Sequence, residues 1–112
     1  MNRGMVIQSM AEISQQRDRL EKLGGHSLLA SMQTAQTAIE SAASGLQEVI
    51  QLLYATQDSG RLLYACAKLD ILTDRLAKVA TLPRMVPMNP HILRVRTALR
   101  AILQRLAKEA RP

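Results

Sequence analysis

The sequence predicts an all-α fold: a small bundle of about four helices built on a long central antiparallel helical hairpin, and dimeric. Three observations carry this. Apolar residues recur at steps of three and four along most of the chain, and no stretch keeps the two-residue alternation of a strand. The hydrophobic 47% consists of Leu, Ile, Val, Met and Ala with one Cys, Tyr54 and Tyr64, and contains no Phe or Trp, a set made mostly of helix formers. At 112 residues the chain is one domain, 1–112, close to the size at which one set of helices leaves apolar surface uncovered.

The first helix is expected at about 5–23, with Val6, Met10, Ile13 and Leu20 on one face, although the polar run "QQRDR" interrupts that face. Gly24 and Gly25 then offer left-handed or flexible positions to end it, and His26 or Ser27 opens the next segment. That second segment, about 27–56, carries the clearest pattern. Leu28, Met32, Ala35, Ile39, Ala42, Leu46, Val49 and Leu53 form a heptad seam, with Gln33, Gln36, Glu40, Gln47, Glu48 and Gln51 on other faces. The small residues "SAASG" (41–45) sit inside it, and Ser44 and Gln47 have capping-box spacing. We read the helix as continuous, with Gly45 allowing a neighbouring helix to approach closely.

"QDSG" (57–60) is a compact turn in which Asp58 or Ser59 caps a third helix, about 60–81, striped by Leu62, Cys66, Leu69, Leu72, Leu76 and Val79. So short a turn makes the second and third helices an antiparallel hairpin. The proline-rich connection 82–90, "LPRMVPMNP", stops that helix at Pro83 and Pro87. Asn89 and Pro90 then read as cap and first residue of a fourth helix, about 90–108, with Met88 placed to staple onto Leu93 and a seam of Ile92, Val95, Leu99, Ile102 and Leu106.

Charge divides the chain. Residues 1–82 carry eight basic and eight acidic side chains, whereas 83–112 carry seven basic and only Glu109, so the net +6 belongs entirely to the last helix and its approach. Arg94, Arg96, Arg100, Arg105 and Lys108 raise the possibility of a small DNA-binding regulator that uses this helix. Three features argue against direct nucleic-acid binding. No aromatic residue lies on the basic segment for base stacking, the nine-residue connection is too long for a helix-turn-helix, and the helix lacks an Asn and Gln cluster to read bases. A membrane-surface role fits poorly without Trp or Phe on the apolar side.

Catalysis needs convergent groups, and the chain offers few: two histidines, one cysteine, no zinc-type Cys/His spacing, no glycine-rich phosphate loop and no nucleophile elbow. We therefore expect no enzyme, no catalytic residue, no metal and no cofactor. "HSLLAS" at 26–31 superficially matches the "HxLKGS" run of histidine-phosphotransfer bundles. Leu29 and Ala30 stand where that motif has lysine and glycine, so His26 reads as a histidine at a helix start. Cys66 reads as core filler, in keeping with a reduced, cytoplasmic setting. The three consecutive apolar residues near the start are too few for a signal-peptide core, and no run approaches a membrane span.

Apolar residues off the main seams, Leu29, Ile50, Leu52 and Tyr54 in the second segment and Leu63, Tyr64 and Ile71 in the third, exceed what one small bundle covers. Across 41–80, "SAASGLQEVIQLLYATQDSGRLLYACAKLDILTDRLAKVA", with its neutral upstream part and proline-broken basic end, the chain resembles the small quorum-sensing antiactivators. The resemblance implies an all-helical homodimer that binds a LuxR/LasR-type autoinducer-dependent transcription factor and blocks its dimerisation, and with it DNA binding. It supplies no binding residues position by position. From the apolar rows themselves, the partner or dimer interface is expected at Ile39, Leu46, Ile50, Leu53, Tyr54, Leu63, Tyr64 and Ile71, with Arg94, Arg96 and Arg100 as a basic rim.

Overall fold

The computed structural model describes residues 2–56 and 58–110. Their elements in chain order are α1 (Arg3–Gly24), a 3-10 turn (Ser27–Ser31), α2 (Gln33–Ala55), α3 (Ser59–Ala80), a second 3-10 turn (Pro83–Met85) and α4 (Asn89–Ala110). The all-α expectation holds. Each helix packs on two neighbours, α1 on α2 and α4, and α3 on α2 and α4, which closes a ring of four around one core. The particle measures 45 × 19 × 17 Å.

The core follows the seams. Ala35, Ile39, Ala42, Leu46, Val49 and Leu53 of α2 are buried, as are Leu62, Cys66, Leu69, Leu72, Leu76 and Val79 of α3 and Ile92, Val95, Leu99, Ile102 and Leu106 of α4. Burial pushes the Cys66 thiol above its ordinary pKa, so it stays protonated and packs as a small apolar group. α2 runs unbroken through Gly45. A Cβ on Gly45 would stand 2.6 Å from Leu72 Cδ2, so the missing side chain is what lets α3 lie so close.

Several local details depart from the sequence reading. The second helical segment does break, but at Met32: Ser27–Ser31 is a 3-10 turn, and Met32 at φ −125°, ψ 68° separates it from α2. The tighter turn has three residues per revolution, which shifts the phase of the seam. Leu29 therefore enters the core, while Leu28 and Met32 are only half-buried.

The first helix starts early, because Asn2 Oδ1 accepts the Met5 N–H at 3.1 Å. Its inner face is Val6, Ser9, Ile13, Gln16 and Leu20, so "QQRDR" does not interrupt it; Gln16 turns inward and its Oε1 accepts from Arg19 at 3.3 Å. Gly24 and Gly25 need no left-handed backbone, since no described glycine has positive φ and Gly25 closes α1 with φ −86°.

Asn89 does not cap α4. Its Nδ2 donates instead to the Ala80 carbonyl at 2.8 Å, satisfying an orphan acceptor at the end of α3. Met85 and Met88 are both buried, plugging the core beneath the connection, and Leu93, the expected staple partner of Met88, is exposed. Gln57, the first residue of the expected turn, lies outside the described residues; Asp58 Oδ1 does cap α3, accepting the Arg61 N–H at 2.9 Å.

Candidate protein-interaction surface

With 3.6 residues per turn, residues on either side of a buried seam fall on two flanks. On α2 the flank toward α1 is marked by Gln47, which accepts from Arg17, and by the carbonyls of Leu53, Tyr54 and Thr56, which accept from the Arg3 guanidinium. Ile50 and Tyr54 lie on this flank. The opposite flank is marked by Gly45 under Leu72 and by Glu48, which pairs with Lys68 of α3. Here α2 and α3 present two adjoining shallow grooves.

One groove, about 360 Å³, is lined by Glu48, Gln51, Leu52, Ala55, Tyr64 and Lys68. The other, about 250 Å³, is lined by Tyr64, Ala67, Lys68, Ile71, Leu72 and Arg75. They share Tyr64 and Lys68, so the Tyr64 ring stands as a ridge between two depressions. Ala55 and Ala67 make the depressions, because a larger side chain at either would fill them. Lys68 is held in place by Glu48, and its aliphatic stem adds to the apolar floor.

The expected interface residues separate into three groups. Ile39, Leu46 and Leu53 are fully enclosed within the bundle and have no surface to offer, which corrects their assignment to an interface; a heptad seam marks what a helix buries, and here the chain's own neighbours fill it. Tyr64 (61% exposed) and Ile71 (53%) form the outer row of α3 beside the grooves. Tyr54 (73%) and the half-buried Ile50 are on the α1-facing flank of α2, and Leu63 (50%) is on the α4-facing flank of α3, two turns from Asp70 that pairs with Arg100. One expected interface therefore becomes one apolar face and two separate outlying positions.

The basic rim also divides. Arg100 is engaged by Asp70 at 2.6 Å, Arg96 is half-buried with its Nε enclosed, and Arg94 faces α1 on the far side of α4. Arg105 pairs with Glu12 of α1. The arginines are thus distributed over both flanks of α4, and two of them have carboxylate partners. They do not form a continuous track for a phosphate backbone.

Fold and surface together define a small antiparallel four-helix bundle with an apolar, grooved face on its central hairpin, edged by the Glu48–Lys68 pair and by Arg75. No protein-family model, curated protein or solved structure matches the chain. Among the described residues no helix is long and apolar enough to cross a membrane.

Proposed function

We propose that the chain is a non-enzymatic, cytoplasmic interaction regulator, an antiactivator that binds a LuxR/LasR-type quorum-sensing transcription factor and prevents its dimerisation. The observation that carries this is the α2–α3 face, where an exposed Tyr64 and Ile71 border grooves floored by Leu52 and Leu72. Exposed aromatic and aliphatic anchors beside small-residue depressions are what a helical partner surface packs against. The choice of a LuxR/LasR-type partner rests on the resemblance of residues 41–80 alone.

The action is stoichiometric: the grooved face covers the patch the transcription factor uses to pair with itself, and mass action does the rest. The second apolar flank, Ile50 with Tyr54, is then available for self-association, which gives the homodimer a surface distinct from the partner's.

Light-scattering mass measurement on a mixture with a ligand-loaded LuxR-type regulator tests the reading. At micromolar concentrations the regulator dimer is expected to give way to a mixed complex. Tyr64→Glu should abolish that complex without unfolding the chain, and Tyr54→Glu should preserve it while weakening self-association. An unchanged regulator dimer overturns the proposal, and loss of capture by Tyr54→Glu with retention by Tyr64→Glu would move the partner site to the other flank.

A further inference from the structure

A cavity of about 250 Å³ opens between the last turns of α1 and the first turns of α4, lined by Arg19, Lys22, Leu23, His91, Arg94 and Val95. Three of its six lining side chains are permanent cations, and His91 adds an imidazole. None of the three is in an ion pair among the described residues. The acids nearest in sequence are taken elsewhere, since Asp18 and Glu21 both face Arg17. The remaining contact of this group is Arg19 to the side-chain oxygen of Gln16.

The arrangement is electrostatically unfavourable in the free chain. Lys22 lies in the last turn of α1, where helix carbonyls favour a cation, but Arg94 and His91 lie in the first turns of α4, where the helix dipole disfavours one. α4 has no acidic residue in its first turn to offset this. Like charges from two helices converge on one concavity, with Leu23 and the buried Val95 as an apolar floor. An anion in the cavity offsets the repulsion among these cations and meets the favourable start of α4, and the carbonyl end of α1, which opposes an anion, is covered by the charge of Lys22.

We propose that this cleft binds a compact polyphosphate, two or more linked phosphoryl groups as in pyrophosphate or the phosphate end of a nucleoside polyphosphate. Two guanidiniums supply planar paired donors to phosphoryl oxygens, and Lys22 supplies a point charge. The backbone N–H groups of His91 and Ile92 are already turned to the Met88 carbonyl, so the site works through its side chains. The volume is below the roughly 300–1,000 Å³ of drug-sized sites, which fits a phosphate group better than a whole nucleotide. Along the same α1–α4 seam Glu12 pairs with Arg105, so the cations do not continue from the cleft as an unbroken row, which suits a compact anion better than duplex DNA.

The test is calorimetric titration of the full chain with sodium pyrophosphate at about 0.15 M salt, where diffuse surface attraction is largely screened. Saturable one-site binding is expected. Lys22→Gln with Arg94→Gln should weaken it by about tenfold or more, whereas Arg61→Gln with Lys78→Gln, an equal charge change on α3, should change it by less than about twofold. Arg19→Gln with Arg94→Gln is the second variant should the first lose its helical circular dichroism. A nucleoside triphosphate that binds where the nucleoside does not assigns a nucleotide source, and pyrophosphate binding without nucleotide binding assigns the free anion. Equal losses in the two charge pairs, no binding of pyrophosphate up to millimolar concentration, or binding of duplex DNA that pyrophosphate fails to displace would overturn the proposal.

Discussion

The α2–α3 seam and the α1–α4 seam belong to one four-helix ring and are built by opposite means. Between α2 and α3 the contact is apolar and close: Gly45 carries no side chain, Leu72 fills the space, and the buried residues of α2 and α3 are apolar apart from Thr73, whose hydroxyl donates to the Asp70 carbonyl of its own helix. The α1 side of the other seam buries Ser9 and Gln16, and its outer edge is tied by Glu12 to Arg105 and by the Asn2 N–H to Glu109. Where close packing holds the seam, the remaining apolar side chains can stay outside as a face for partners. Where polar groups share the seam, the flank is charged, and there Arg19, Lys22 and Arg94 line one cleft. The division of labour proposed for the two halves follows from that difference.

The comparison can be broken most directly by opening the apolar seam. Leu46→Ala leaves a cavity under α3 and should cost about 2–5 kcal/mol, read as a lower urea midpoint at unchanged slope. A cost under about 1 kcal/mol would mean that α2 and α3 are held apart from this packing. Gly45→Val tests the closeness of the approach. A side chain at that position meets Leu72, so overpacking should destabilise by about 1–3 kcal/mol even though valine is no worse a helix former than glycine. A stabilised variant would show that Leu72 can rotate outward into the groove it lines.

Asn89→Ala addresses the joint between the two seams, since its amide ties the end of α3 to the start of α4. Loss of that donor should cost about 1 kcal/mol and raise amide exchange in the last turn of α3, whereas an ordinary N-cap would protect the first turn of α4 instead. The smallest effect is expected on the charged seam. Arg105→Gln removes a partly exposed ion pair and should cost no more than about 1 kcal/mol, falling toward zero in high salt. A large, salt-independent loss would make the two seams alike.

Much of this was legible along the chain. The stripes of α3 and α4 and the six inner residues of α2 were visible because a buried helix face imposes a three-and-four spacing that polar residues rarely satisfy by chance. The role of Gly45 was legible for a related reason, as small residues in a long helix mark a near neighbour. The inward turn of Gln16 was not, because a polar residue at a seam position looks like an interruption until the neighbouring helix is seen to enclose it. Leu29 escaped because a 3-10 turn changes the phase on which the spacing argument depends. The interface residues divided in the same way. Tyr64 and Ile71 stand outside, whereas Ile39, Leu46 and Leu53 fill the seam and so cannot also supply a surface.

By itself the sequence determined the helices, the apolar stripes that α2, α3 and α4 bury and the concentration of positive charge in 83–112, because periodicity and composition act within one element at a time. The tertiary structure alone decided which flanks meet. It set Tyr64 between two grooves, placed Tyr54 on the opposite side of α2, turned Asn89 back to α3, and brought Arg19 and Lys22 opposite His91 and Arg94. Residues 19–22 and 91–94 are about seventy positions apart, and no local pattern links them. Only the antiparallel closure of α1 on α4, set by the packing of all four seams around one core, puts those charges around a common cavity.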